Sequence, residues 1–442
     1  MVKLIASFSR LKSAHVLVVG DFMLDIYTAG SVQRISPEAP VPILHVKSTQ
    51  YLPGGAGNVV LNLIALGAKV TCVGRIGADL EGQKLKALLE KEGVDTSGLF
   101  TQIEARTPVK NRLIAGSQQL MRVDDETVIS IDKEVREKAI SFIKNHLDSI
   151  EVIAISDYGK GFLSKQLLKS LIKEGNEQNI PILVDPKGDD FSRYKYATMV
   201  KPNLKEAIEA AKLGSEATLD EVGQELVKKI ETEQVIITRS EEGITLFDQK
   251  NKRFDFPVKS REVIDVTGAG DTVLAVTTMS YAADLDLSEG LHLANVAASI
   301  AIERLGCVRV SLADIAERLL ETDVINKVFD ERHLFALEQA LKNKKFTILG
   351  LSTEEEVSAS FLTKIQGLAS SHEGEKFMVY LVDDKPNEHF VSLLSSLHDV
   401  DYIVLHSDSL SNLCERIHPA HVYMFEESEV LSVSHHTDLV NI

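Results

Sequence analysis

The sequence predicts an α/β protein in two parts: a larger domain on a largely parallel sheet, followed by a smaller α/β domain. Three observations carry that prediction. Short apolar runs rich in β-branched residues, His15 to Val19, Val152 to Ile155, Ile182 to Val184 and Val235 to Thr238, read as buried strands. Between them lie longer segments of helical period, such as Val59 to Leu66 with the stop signal Gly67, and Leu291 to Ile302. Such alternation builds a sheet covered by helices and gathers ligands at the carboxyl ends of its strands. The third observation is a shift in composition near residues 320 to 330. Residues 331–442 hold 8 Lys and Arg against 18 Asp and Glu, so this quarter of the chain carries −10 of the total charge of −17. It also holds 9 of the 13 histidines but only 3 of the 26 glycines. The expected domains are therefore residues 1–320 and 331–442.

Within the first domain, residues 31–53 break the rhythm. Pro37, Pro40, Pro42 and Pro53 stand among the alternating apolar residues Val41, Ile43, Leu44 and Val46, a pattern that suits short edge strands and a small β lid over the site. After residue 330 the pattern restarts, with a helix expected over Glu331 to Leu341 and strands over Phe346 to Leu351, Phe377 to Val382, Tyr402 to Leu405 and Val422 to Phe425.

Composition excludes several classes. With 442 residues, 44% hydrophobic and 26% charged, the chain is globular rather than disordered or fibrous. No apolar run approaches the roughly 20 residues that span a bilayer, so no membrane insertion is expected. The opening MVKLIASFSRLKSAH lacks the features of a signal peptide, which gives a cytoplasmic expectation. Cys72, Cys307 and Cys414 form neither a CxxC nor a metal-ligand spacing and read as reduced and structural. Without a basic stripe, nucleic acid is not an expected partner.

The string that carries chemistry is Asp265-Val266-Thr267-Gly268-Ala269-Gly270-Asp271, followed by an apolar helical stretch. Glycines at a helix start free the N–H groups of Gly268, Ala269 and Gly270 to face an anion, and the helix dipole adds positive potential. Asp271 beside a phosphate site would repel its guest unless it accepts the proton of an attacking hydroxyl. The alternative is an N-cap. A second cluster, Pro53-Gly54-Gly55-Ala56-Gly57-Asn58, permits close approach of a ligand, and Asn58 offers donors and an acceptor to sugar hydroxyls; a tight turn is the competing reading. Asp21 and Asp25 put carboxylates where a polyol would sit, or cap a strand end.

Together with Gly67, Gly77 and the Gly77-Ala78-Asp79-Leu80-Glu81-Gly82 string, these motifs resemble the ribokinase-like carbohydrate kinases. Arg34 to Pro42, Ser156-Asp157-Tyr158-Gly159-Lys160-Gly161, Asp185-Pro186-Lys187-Gly188, Pro202 to Glu206 and Thr238 to Gly243 resemble, more narrowly, the kinase half of the bifunctional heptose kinase/adenylyltransferase family, over about residues 10 to 320. The resemblance implies a ribokinase-like parallel sheet flanked by helices with a small β lid, plus a C-terminal nucleotidyltransferase-like domain. It implies ATP-dependent phosphorylation of the anomeric hydroxyl of D-glycero-β-D-manno-heptose 7-phosphate, on the route to ADP-heptose and lipopolysaccharide. By the same resemblance Asp271 is the base, and Gly268, Ala269 and Gly270 form the anion hole. Asn203, Leu204, Lys205 and Glu206 form the N-x-x-E element that binds ATP, Asn203 and Glu206 positioning Mg²⁺ through water. Ser240, Gly243 and Asn295 fall along the nucleotide. Asp21, Gly54, Gly55 and Asn58 match sugar-holding positions. Lys110, Arg112 and Lys187 are the candidate cations for the 7-phosphate. A homodimer paired through the lid is also implied. Gly116 departs from the family, which often carries Arg there.

The second domain departs further. The family's G-x-F-D-x-x-H-x-G-H motif has two possible places. If Glu331 to Gly350 is the spacer helix and first strand, Leu351-Ser352-Thr353-Glu354-Glu355-Glu356-Val357 replaces it, and three glutamates repel a triphosphate. If Phe329-Asp330-Glu331-Arg332-His333 is an eroded FDxxH, Leu334-Phe335-Ala336 replaces its end. Either way one or both histidines are lost, and adenylyl transfer with them. His418-Pro419-Ala420-His421 reads as a decoy, and neither it nor His435-His436 has an acidic or thiol partner at a ligand spacing.

Overall fold

The computed structural model describes the chain except residues 1–3, 117, 215, 259–262, 324–326, 354–357, 373, 406–408, 427 and 434–442. The glutamates from 354 to 356 and the pair His435-His436 thus lie outside the described residues. The chain divides into two compact units: residues 11–311, and residues 312–442 together with the first ten. The first boundary differs from the expected 1–320. The short helix Leu4–Phe8 belongs with the second unit, where Phe8 packs on Phe335 with ring centroids 5.4 Å apart, and so does the helix Leu312–Asp323.

The strands of the first unit are β1 (His15–Gly20), β2 (Phe22–Ile35), β3 (Pro42–Gly55), β4 (Lys69–Gly77), β5 (Asp95–Gln102), β6 (Val109–Ala115), β7 (Gln118–Asp125), β8 (Val152–Ser156), β9 (Ile182–Asp185), β10 (Met199–Val200), β11 (Gln234–Thr238), β12 (Ile244–Asp248) and β13 (Arg253–Phe256). Nine of them form one sheet in the order β13-β12-β11-β10-β9-β8-β1-β4-β5, antiparallel only at β12 and β13. β1 (HVLVVG) and β8 (VIAIS) are buried almost throughout, as parallel strands covered on both faces require. Leu17, Val19, Ile153, Ile155, Val184 and Val235 from these strands meet helix residues such as Leu167 and Leu226 in one core. The register aligns Gly20 with Ser156 and Ser156 with Asp185. Asp21, Asp157 and Asp185 therefore emerge together at the carboxyl edge, and the sheet fixes the floor of the site before any side chain is considered.

The remaining four strands form a separate sheet, β3-β2-β6-β7. The lid is thus larger than the expected residues 31–53. β2 begins at Phe22, and a second hairpin, β6-β7, adds to its other side.

The second unit adds β14 (Val328–Phe329), β15 (Phe346–Leu351), β16 (Lys376–Leu381), β17 (Tyr402–Val404), β18 (His421–Glu426) and β19 (Glu429–Ser432) in the order β14-β17-β16-β15-β18-β19. β15 is buried from end to end and lies between β16 and β18, so the chain reverses direction across the sheet there. This ordering bears on the two expected placements of the family's motif. The central first strand is β15, while Phe329-Asp330 ends the edge strand β14. His333 there closes a capping box, its Nδ1 accepting from the Asp330 amide at 3.1 Å. Leu349, Phe361, Ile365, Val379, Ile403 and Phe425 supply this unit's core.

Candidate active site

Asp271 is the third residue of the helix Ala269–Ala282, whose N-cap is Gly268 at φ 81°. That conformation favours glycine, and a side chain on Gly268 would also meet Asn58 Nδ2 at 2.8 Å. The glycine is therefore required twice. The amide of Ala269 is used in the turn, donating to the Val266 carbonyl at 3.3 Å. The amides of Gly270 and Asp271, at the positive end of the helix dipole, have no carbonyl partner among the described residues. Of the expected Gly268, Ala269 and Gly270, only Ala269 has its amide engaged by a carbonyl among the described residues, and Asp271 adds a further open amide.

Asp271 is buried and held by two donors. Asn58 Nδ2 donates to its Oδ2 at 2.7 Å and the Tyr158 hydroxyl to its Oδ1 at 2.8 Å. Burial, aided by the negative charge of Asp185, pushes its carboxyl up to about 6, against the pull of the Asn58 and Tyr158 hydrogen bonds and of Lys201. A group with that affinity is ionised at neutral pH yet basic enough to take a proton, which an N-cap does not need. Asp185 is itself pushed upward by burial and is countered by Lys201 Nζ at 3.0 Å. Lys201 approaches the helix start closely, since a side chain on Gly270 would come within 3.4 Å of its Nζ.

Beside this base lies a cavity of about 420 Å³. Asp185, Lys187, Lys201, Asn203, Glu206 and Asp271 supply much of its polar wall, and Ser240, Gly243 and Asn295 continue it. Ile244, Val258, Val263, Val266 and Ile302 make its far end apolar, which suits an aromatic base. Asn203 and Glu206 cap the helix Leu204–Ala211 reciprocally: the Glu206 amide donates to Asn203 Oδ1 at 2.9 Å, and the Asn203 amide to Glu206 Oε2 at 3.1 Å. Their N-x-x-E spacing is thereby explained locally, while both side chains still face the cavity. Leu204 and Lys205 do not line it; Lys205 is exposed and pairs with Glu209. Asn295 is buried with its Nδ2 donating to the Phe256 carbonyl at 2.7 Å. A wider groove of about 980 Å³, lined by Leu213, Glu225, Lys228 and Asn251 among others, holds none of these groups.

The expected sugar-side residues are rearranged. Asp21 is buried. Its carboxylate accepts from the amides of Tyr158 at 3.0 Å, Lys160 at 2.9 Å and Phe162 at 3.4 Å, so it anchors the loop that delivers Tyr158. Asn58 is turned toward Asp271 rather than toward free space. Arg112 is committed to a buried ion pair with Asp25 at 2.8 Å, and stacks over Tyr27. Gly54 is needed because any side chain would strike Asp25 Oδ2 at 2.5 Å; Gly55 is the N-cap of the helix Ala56–Ala65. Lys187 lines the cavity with Glu206, 2.6 Å from its carboxylate. That leaves Lys110. It sits over the Tyr158 ring at 5.6 Å and makes no ion pair or hydrogen bond among the described residues, and burial and the nearby Lys160 hold its ammonium below its ordinary value. Cys307, expected to be structural, lines the site with its Sγ 3.7 Å from Asp25 Oδ2; burial and the carboxylates of Asp25 and Asp271 push its thiol up to about 12.

Sequence reasoning named neither Tyr158, Lys201, Asp185 nor Asn62 as a site residue. The first three stand in or beside strings singled out above, Tyr158 and Lys201 just past the ends of β8 and β10 and Asp185 as the last residue of β9. Asn62, one turn beyond Asn58 on the same helix, donates to its carbonyl at 3.0 Å and carried no signal of its own.

A buried base beside amides free for an anion, at the carboxyl edge of a parallel sheet, is machinery for phosphoryl transfer, and the first unit is that of a carbohydrate kinase. The chain belongs to the pfkB family of carbohydrate kinases, whose family model matches residues 13–314, and within it to the group of the bifunctional proteins HldE. The bifunctional protein HldE of Trichlorobacter lovleyi is 41% identical over 310 residues, 70% of this chain and 63% of that protein. The match thus spans less than two thirds of that relative. The one from Geobacter metallireducens is 35% identical over 447 residues, 93% of this chain and 88% of that protein. Among solved structures, Escherichia coli phosphofructokinase-2 in complex with substrates and products matches with a TM-score of 0.59 at 20% identity, covering 71% of this chain and all of that one. Arabidopsis thaliana ribokinase complexed with ribose and ATP matches at 0.54 and 19%, covering 70% and 99%. At those identities the likeness is one of fold.

Proposed function

We propose that this chain transfers the γ-phosphate of ATP to the anomeric hydroxyl of D-glycero-β-D-manno-heptose 7-phosphate, giving the 1,7-bisphosphate for ADP-heptose synthesis, and that its second unit has lost adenylyl transfer. The observation that carries the kinase reading is Asp271, buried, doubly hydrogen-bonded and with its carboxyl near 6. The hydroxyl oxygen bonds to the γ-phosphorus as the bond from that phosphorus to the ADP oxygen breaks. The hydroxyl proton passes to Asp271, and ADP leaves with the electron pair. The Gly270 and Asp271 amides and Lys201 face the charge that gathers on the transferred group, and loss of one such donor typically costs about 3 kcal/mol.

The cavity with an apolar far end suits ATP. A Mg²⁺ ion held there would supply positive charge against the charge developing on the transferred group. The donor set fits a hydrated ion: Asp185, Asn203 and Glu206 face the cavity, and the two carboxylates already carry lysines at 3.0 and 2.6 Å, so contact through water leaves those pairs intact. The heptose assignment rests on the HldE relatives and on Lys110, the cation left free for a substrate phosphate on the lid side of Asp271.

Purified protein with ATP and Mg²⁺ is expected to prefer heptose 7-phosphate, by kcat/KM, over fructose 1-phosphate and ribose, with the bisphosphate identified by mass spectrometry. A preference for either competitor would move the assignment to another sugar. Asp271→Asn is expected to lower kcat by about 10²- to 10⁴-fold while ATP still binds.

A further inference from the structure

We propose that His372, Glu375 and His421 form a binding site for one divalent transition-metal ion of the zinc class in the second unit. The three come from separate places in the chain. His372 is the C-cap of the helix Ala359–Ser371, Glu375 lies in the turn before β16, and His421 opens β18. Their ligating atoms nevertheless lie within 4.8 Å of one another. His421 is the second imidazole of the His418-Pro419-Ala420-His421 string. The sequence shows it no acidic partner because Glu375 is 46 positions away. His418 does not join the group; it caps the helix Leu410–Ile417 in the left-handed region, its amide donating to the Cys414 carbonyl.

The imidazole rings of His372 and His421 stack with centroids 4.0 Å apart and 23° between their planes, and ligating one ion would splay them until their in-plane nitrogens converge. Further groups hold the outer sides of His372 and Glu375. The Tyr423 hydroxyl lies 3.1 Å from His372 Nε2, which leaves Nδ1 as the nitrogen open to a ligand. The Thr347 hydroxyl donates to Glu375 Oε2 at 3.3 Å, leaving Oε1. The Glu375 amide donates to the His372 carbonyl at 3.0 Å, closing the turn that sets their spacing. Ligating imidazoles and carboxylates characteristically have outer partners of this kind. Two imidazoles and one carboxylate select zinc-class ions over Mg²⁺ or Ca²⁺, and three protein ligands leave a fourth, open position.

Position argues for a role apart from nucleotide chemistry. Thr347 pairs with His421 across β15 and β18, and with Phe377 across β15 and β16, at the amino ends of these parallel strands. A doubly wound sheet binds nucleotides at the opposite, carboxyl edge. The ion would tie the end of one helix to two strands, stabilising the second unit.

The test uses untagged, full-length protein stripped with chelator. Calorimetric titration with ZnCl₂ alone is expected to give one site per chain, and Co²⁺ the absorption of a low-symmetry nitrogen/oxygen site. The double variant His372→Gln/His421→Gln is expected to lose saturable zinc binding. Tyr423→Phe is expected to weaken it by about 10-fold or more. Unchanged circular dichroism and sugar kinase activity in the variants would show that they fold. Wild-type protein without saturable zinc binding would overturn the proposal. So would full binding in the double variant, or loss of binding only in a His435→Gln/His436→Gln variant.

Discussion

At the scale of single residues, the base is defined by its neighbours, and each neighbour predicts a shift. Asp271 must be ionised to accept a proton, so kcat is expected to fall as pH drops below about 6. The Asn58 hydrogen bond favours the ionised form. Removing it in Asn58→Ala raises the carboxyl further, and the acid limb of the pH profile moves to higher pH. The charge of Asp185 acts oppositely, so Asp185→Asn moves that limb lower, whatever it does to the maximal rate. Limbs that shift in the same direction in both variants would refute this account of the base. Lys110 makes a separate prediction: as the anchor of a substrate phosphate, its loss in Lys110→Ala should raise KM for the sugar phosphate about 10- to 100-fold, a lost charge-assisted contact of roughly 1.5–3 kcal/mol. KM for ATP should stay in place. These residues also show what a sequence can reveal. Asp271 was legible because its job is local, three positions into a glycine-opened helix. The Asn58 hydrogen bond to Asp271 was not legible, because the two residues are 213 positions apart. Lys201, one lysine before Pro202, has no spacing that marks it.

At the scale of elements, the same contrast holds. β1, β8, β9 and β11 were legible because burial on both faces demands continuous apolar runs. β6 (VKNRLIA) and β7 (QQLMRVDD) were not, because a sheet standing in solvent accepts polar residues at almost any position, and β7 is exposed along its whole length. That exposure has a consequence. Leu120, Met121 and Val123 on β7, with Val32, Ile35 and Val46 on β2 and β3, leave large apolar side chains on the lid. Apolar groups clustered on one small sheet mark an interaction surface, and a second copy of the same lid is its expected occupant. Met121 and Val123 are two apart and share a face. Met121→Glu/Val123→Glu is therefore expected to convert a dimer, measured by light scattering coupled to gel filtration, into a monomer of unchanged circular dichroism. A wild-type protein that is monomeric at assay concentration would rule the lid out.

At the scale of the whole molecule, one chain carries two doubly wound sheets with opposite chemical equipment at their carboxyl edges. In the first unit that edge combines carboxylates with Lys201, Lys187 and a helix start, an arrangement that suits an anion. In the second, the reversal point lies between β15 and β18. β15 leads to Ser352 and Thr353, whose hydroxyl and amide are spent on Asp383 at 2.8 and 2.5 Å. β18 ends in Phe425 and Glu426, and β16 leads to the acidic pair Asp383-Asp384. Three further glutamates follow Thr353 in the sequence. Among the described residues, Asp383, Asp384 and Glu426 thus give that edge negative charge. Two unit charges 4 Å apart interact by about 4 kcal/mol in the intermediate dielectric of a protein surface, so an edge of this sign opposes nucleotide binding. Of the histidines the sequence offered as motif remnants, His333 closes a cap and His421 lies at the amino edge. With heptose 1-phosphate, ATP and Mg²⁺, the full-length protein is expected to release no pyrophosphate above the enzyme-free rate, while the same preparation phosphorylates heptose 7-phosphate. ADP-heptose detected by mass spectrometry in the first reaction would show that the acidic edge still accepts the nucleotide, and would restore adenylyl transfer to this chain.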